Sequence, residues 1–257
     1  MKKVLVILVL LLVVGIWYVV SGAGDFIRTQ IEQQGTRYLN TPVSVANVDL
    51  ALTQGRMTIN GLTIKNPQGF SEQNAFSLDA VTLDLGEVIN QPYVVQTLSI
   101  NAPEILYEVD ASGQGNLIVL KNNLDANLPK SSNEPTSPPA DTASPLVIVD
   151  NVTVKDIRLK VNFEQLSTGD LNIETKAYEI TLPTFNAGSI GKPNGMPADQ
   201  VGAAVVKAML DNVISAAKSE AKKRLKAAAK EKAAKELDKQ KDKLLEKAND
   251  KLKGLFN

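Results

Sequence analysis

The side chains able to do chemistry in this 257-residue chain are carboxylates, hydroxyls and lysines, because it has no histidine and no cysteine. Without imidazole or thiol there is no Ser-His-Asp triad, thiolate nucleophile, haem ligation or ordinary zinc site. The sequence also lacks a nucleophile elbow, a phosphate-binding loop and paired carboxylates at a recognisable catalytic spacing. The composition leaves acid-only glycoside hydrolysis open. No catalytic, cofactor or metal residue is assigned, and the expectation is a non-enzymatic protein.

Three local patterns come nearest to a site. Residues 110–115, Asp-Ala-Ser-Gly-Gln-Gly, have the look of a calcium loop. Such a loop needs several acidic ligands and a closing Glu, and only Asp110 is there, so a turn is the better reading. Asn151-Val152-Thr153 matches a glycosylation acceptor but sits inside a strand pattern. The third pattern is charge. Residues 1–217 carry 14 basic and 21 acidic groups, whereas residues 218–257 carry 14 basic and 7 acidic ones. The tail lysines read as a solvated helix face, or as a surface for anionic phospholipid headgroups or another acidic part of a cell envelope. Nucleic acid is not expected, since no aromatic residues interleave the lysines for base stacking.

The elements that would position these groups begin at a membrane. Lys2 and Lys3 precede residues 4–20, seventeen residues interrupted by nothing more polar than Gly15. Trp17 and Tyr18 stand at the far end of the run, where an interfacial belt would lie. The run is long enough to cross most of a bilayer, so residues 1–24 read as an uncleaved transmembrane anchor in the inner membrane, with a cytoplasmic N-terminus. The alternative is a signal peptide cut near Ala23, with Ser21 and Ala23 as the small residues. Either way the body is exported.

Residues 25–40 place Ile27, Ile31, Tyr38 and Leu39 at helical spacing, with Asp25 available as N-cap and Gly35 as a weak point. The period then becomes two. Val43-x-Val45-x-x-Val48-x-Leu50, Met57-x-Ile59-x-x-Leu62-x-Ile64 and Phe76-x-Leu78-x-x-Val81-x-Leu83 repeat one figure, and Val152-x-Val154-x-x-Ile157-x-Leu159 repeats it again. The doubled spacer would throw half of each strand onto the wrong face unless the backbone bends there, at Ala46-Asn47, Asn60-Gly61 and Asp79-Ala80. Gln54-Gly55 and residues 66–69 supply turns, which makes an antiparallel meander rather than a βαβ series. Pro92 and Pro103 stand at strand entrances, and Asn116 could cap a short helix covering Leu117, Leu120 and Leu124.

Residues 125–145 are rich in Pro and Ser and read as a linker or loop within one sheet. Residues 146–190 supply further strands, and residues 184–196 read as a loop. Pro197 occupies a first helical position, with Asp199 in the first turn. A Lys/Ala/Glu-rich helix then extends to Leu255 with a thinning apolar side that includes Leu225, Leu237 and Leu244, roughly 80 to 90 Å long. The fold class is a β-rich α+β protein: a curved antiparallel sheet between an N-terminal transmembrane helix and a long C-terminal helix. Val43, Val45, Leu50, Ile59, Ile64, Leu78, Leu83, Ile157 and Leu159 are the candidates for lining its apolar face. That face must be covered by a second sheet, by the tail helix, or by acyl chains in a groove.

Several of these stretches are familiar together. Pro42-Val43-x-Val45-x-x-Val48-x-Leu50, Gly55-Arg56-Met57-x-Ile59-x-Gly61-Leu62-x-Ile64-x-Asn66-Pro67-x-Gly69-Phe70 and Ala102-Pro103-Glu104-Ile105-x-Tyr107-Glu108 resemble the N-terminal module of the AsmA-like family. The Gly115-Asn116-Leu117 step and the anchor with its following helix fit too. The resemblance covers residues 1–124, and more loosely 146–183; the tail departs from it. It implies an inner-membrane-anchored protein of the Gram-negative periplasm, from a superfamily of taco-shaped β-grooves tied to lipid traffic and outer-membrane integrity, with no family catalytic residues; phospholipid acyl chains as a partner follow separately from the apolar face that must be covered. The chain is too short for its sheet to cross the periplasm.

Overall fold

The computed structural model describes residues 22–86, 90–128, 144–167 and 176–255. The expected anchor, with Lys2, Lys3, Trp17 and Tyr18, lies outside the described residues, as does most of the expected linker. Among the described residues no helix is long and apolar enough to cross a membrane.

Helix α1 covers residues 22–39. The strands are β1 (Val43–Ser44), β2 (Asn47–Ala51), β3 (Arg56–Lys65), β4 (Asn74–Leu85), β5 (Tyr93–Asn101) and β6 (Glu104–Glu108). After helix α2 (Asn116–Asn127) come β7 (Leu146–Lys155), β8 (Ile157–Asn162), β9 (Ala177–Leu182), β10 (Phe185–Ile190), β11 (Met196–Pro197) and helix α3 (Ala198–Leu255). All the strands belong to one curved, unclosed sheet that is mixed with helix, an α+β architecture.

The short strands are halves of longer ones. β5 and β6 pair with β4 in one continuous register, Val81 opposite Ile100 and Phe76 opposite Ile105. β7 and β8 pair with them in a single parallel register, Asn101 beside Lys155 and Glu104 beside Arg158. Extending these registers across the gaps aligns Ala46, Gly61, Asp79, Ala102, Asp156 and Pro183 in one row. Three members of this row have left-handed backbone: Gly61 at φ 60°, Ala102 at φ 47° and Asp156 at φ 52°. The row is a crease. A left-handed residue turns the strand, so the inward side chain moves by one position, and both Val154 and Ile157 point into the core.

Both the crease and its sequence signal, the doubled spacer, are therefore real at Ala46, Gly61 and Asp79. Ala102 and Asp156 extend the same line. The meander is only partly antiparallel, because α2 and the chain after it carry β6 back to start β7 parallel to β5. A parallel neighbour requires such a crossover connection, which the hairpin reading of the sequence passed over.

The inner face is filled by helices. Leu117, Leu120 and Leu124 of α2 and Val205, Met209, Leu210, Val213 and Ala217 of α3 join the strand residues in one buried cluster. Ion pairs between Lys121 and Asp211, and between Lys207 and Asp125, hold the two helices together. Helix α1 instead guards the β1–β2 edge. Glu32 Oε1 accepts the Val45 N–H at 2.8 Å and Thr36 Oγ1 accepts the Val43 N–H at 3.0 Å, so edge donors that invite strand addition are occupied.

Four local expectations are corrected. α1 already runs at residue 22, so Asp25 is inside the helix and pairs with Arg28 at 3.4 Å rather than capping it. Gly35 is a contact point, since a Cβ there would lie 3.1 Å from the Val43 methyls. The stretch at 184–196 contains strand β10, bulged at Gly188, where glycine takes φ 75°. Pro197 ends β11, pairing with Leu146, and α3 begins one residue later.

Candidate functional site

The nine residues expected to line the apolar face all lie on inward positions, but the structure divides them. Val43, Val45, Ile64, Leu78, Leu83, Ile157 and Leu159 are buried. Ile157 and Leu159 are completely so, beneath the helices. Six of these pack the core cluster, and Val45 is buried outside it. Leu50 and Ile59 are only half-buried, and so are Met57 and Leu62 of β3. Leu50 faces Met57, and Ile59 faces Val48 across the β2–β3 ladder. The four form an apolar strip at the α1 edge of the sheet. The N-terminal turn of α1 lies against it, since a Cβ on Gly24 would fall 2.5 Å from the Val48 carbonyl oxygen.

The motif that carried the family resemblance converges elsewhere, in a knot of polar groups. Glu108 Oε2 accepts Asn66 Nδ2 at 2.5 Å, Ser71 Oγ at 2.7 Å and the Ser71 N–H at 3.3 Å. Asn116, fully buried, accepts the Glu108 N–H at 2.9 Å and donates to Asn66 Oδ1 at 2.7 Å and to the Leu106 carbonyl at 2.8 Å. The predicted capping role for Asn116 is thus replaced: the N-cap is Gly115, and Asn116 ties the β3–β4 turn, β6 and the start of α2 together. Gly115 is required there because a Cβ would stand 2.6 Å from the Tyr107 hydroxyl oxygen. Burial beneath this turn raises the Tyr107 phenol above its ordinary range.

Sequence reasoning passed over the knot. Its signal was a run of polar residues, Asn66, Glu108 and Asn116, inside or flanking alternating apolar strands. Buried polar groups of this kind are retained where hydrogen bonds satisfy them. Three donors converge on one oxygen of the Glu108 carboxylate, so the knot acts as a fastening.

Asp110 is used by its own turn. Its Oδ1 accepts the Ser112 hydroxyl at 2.7 Å, the Ser112 N–H at 2.8 Å and the Gln114 N–H at 2.9 Å. The Ser112 hydroxyl and then the Gln114 amide hold its carboxyl below the usual range. Asn151 and Thr153 lie on strand β7, with Asn151 engaged by Asn186 and Thr153. Among the described residues no cluster of three metal-ligating side chains exists. On the outer face an open polar pocket of about 280 Å³ lies between Lys65, Gln73, Asn74, Glu104 and Lys160. Compared with protein-family models, curated proteins and solved structures, the chain matches none of them.

Proposed function

We propose that the chain is a non-enzymatic, membrane-anchored periplasmic protein of the AsmA-like kind, which handles lipid or supports outer-membrane assembly through the open end of its creased sheet. The observation that supports this reading is the apolar strip of Leu50, Met57, Ile59 and Leu62, which stays partly exposed beside α1 although Met57, Ile59 and Leu62 also pack against the core. α1 begins two residues after the seventeen-residue apolar run ends in the sequence, and its first turn lies against the β2 edge of the strip. An acyl chain laid along it gains about 0.8 kcal/mol for each methylene taken from water, so about six methylenes contribute about 5 kcal/mol before ordering costs. That suits transient contact more than permanent storage.

A photoreactive fatty acyl phospholipid should crosslink to the strip in vesicles carrying the full chain. Ile59→Asp should lower the crosslink yield at least fivefold while the fold is retained. Equal crosslinking in the wild type and the variant would overturn the reading.

A second reading has its own support. Helices α2 and α3 cover the rest of the inner face, as expected of a structural or interaction protein whose sheet is closed by its own helices. In that case its basic C-terminal helix tethers an envelope partner or an anionic membrane.

A further inference from the structure

Helix α3 has two unlike parts. Up to Ala217 it packs against the sheet and α2, and Arg224 then stacks on the Tyr178 ring at 3.5 Å from its centroid. From Lys226 to Lys243 every described side chain except Ala228 is exposed. Leu237 and Leu245, at 55% and 62% exposure, are among the most exposed large apolar residues described.

The arm sorts its residues by chemistry. At 3.6 residues per turn, Lys222, Lys226, Lys230, Ala233, Leu237, Lys241 and Leu245 fall within about 80° of the Leu237 direction. Glu220, Glu231, Glu236, Asp238 and Asp242 all fall outside that sector, at about 100° or more. Glu220 with Arg224 at 3.2 Å and Glu231 with Lys235 at 2.7 Å pair outside that sector, and Glu220 also reaches Lys223, on the Leu237 side, at 3.9 Å. Lys222, Lys226, Lys230 and Lys241 form no ion pair among the described residues. One side of the arm is thus apolar and cationic with no acid, and the other is charge-compensated.

We propose that the arm beyond Ala217 is an interfacial helix that lies on an anionic lipid surface with its Leu237 side down. Leucine and alanine enter the headgroup boundary, and the flanking lysine stems run along it with their ammonium groups at the phosphates. The body cannot substitute for it: residues 1–217 carry seven more acids than bases, so such a surface repels them, while residues 218–257 carry seven more bases than acids. A second copy of the chain fits less well. A packed helix pair needs a continuous apolar seam, and Lys230 and Lys241 interrupt this one. The inference rests on the second reading above, in which the basic helix tethers an anionic membrane, and is independent of lipid contact at the sheet.

The absence of cysteine makes the test clean. Full chains carrying Leu237→Cys, Leu245→Cys or Asp242→Cys, each labelled with an environment-sensitive fluorophore, are reconstituted in vesicles. In phosphatidylglycerol-rich vesicles the first two labels should shift to the blue and the third should not. The shift should be absent in pure phosphatidylcholine and reversed by 1 M salt. Adding Lys226→Ala, Lys230→Ala and Lys241→Ala to the Leu237→Cys chain should reduce surface occupancy about a hundredfold, a factor of several per lysine near an anionic surface. The proposal is overturned if the labels give no shift with phosphatidylglycerol or the same shift at all three positions. A shift that tracks protein concentration without dependence on lipid charge overturns it too, and assigns the face to a second copy.

Discussion

Asn116 has no exposed surface, yet it makes three hydrogen bonds to two other elements, β6 and the β3–β4 turn. Replacing it by alanine orphans the Glu108 N–H and the Leu106 carbonyl where water cannot reach them. Each orphaned buried group costs about 1–3 kcal/mol. Asn116→Ala should therefore lower unfolding free energy by about 2–4 kcal/mol in urea titration, whereas Asn122→Ala, an exposed asparagine of the same helix, should change it by less than about 0.5 kcal/mol. Equal effects would show that the knot is not a fastening. Asn66, Glu108 and Asn116 thus read as a structural tie at this scale: they are placed to be satisfied by one another.

At the scale of elements, the crease decides the shape of the sheet. A flat sheet with this pattern would turn half of its apolar side chains to water, because each strand shifts its alternation where the doubled spacer occurs. Gly61 is the tightest point on the line, with φ 60° and Ala46 Cβ only 2.8 Å from where a Cβ would stand. Gly61→Ala adds both left-handed strain and a clash, and should destabilise by about 1–3 kcal/mol, read from the shift in the urea midpoint. Asp156→Gly, which relieves left-handed strain at an exposed position of the same row, should be neutral or stabilising. If the two substitutions act alike, the row is not the hinge of the sheet. The edges follow the same logic: α1 side chains occupy the β1–β2 edge, while Pro183 and the bulge at Gly188 interrupt the β9–β10 edge.

For the whole molecule, α3 joins two functions in one continuous helix, and truncation separates them. A chain ending after Ala217 keeps Met209, Leu210, Val213 and Ala217 in the core and loses the Arg224 stack on Tyr178, so it should remain folded with unfolding stability lowered by no more than about 2 kcal/mol. A chain ending before Pro197 exposes the inner face under α3 and should aggregate or lose its cooperative transition. Folding of the shorter chain would mean that the sheet covers itself. The first third of α3 is thus a lid of the core and the remainder an arm. The sequence showed one long helix, because alanine, lysine and glutamate have uniformly high propensity; its thinning apolar side and the change of charge at residue 218 hinted at two parts without marking the residue where packing stops.

What the sequence by itself determined is local. Period-two alternation placed the strands, the doubled spacer placed three points of the crease, and helical spacing put Leu117, Leu120 and Leu124 inward, since each depends on backbone geometry within a few residues. The absence of histidine and cysteine restricted the chemistry equally directly. Only the tertiary structure decided what covers the apolar face, which inward residues remain open, and how Asn66, Glu108 and Asn116 meet. Those outcomes depend on pairing between segments 40 or more residues apart, as Asn66 and Glu108 are, and on the parallel return after α2. A one-dimensional pattern records which side chains prefer to avoid water; the partners that let them do so are chosen by the three-dimensional packing of the whole chain.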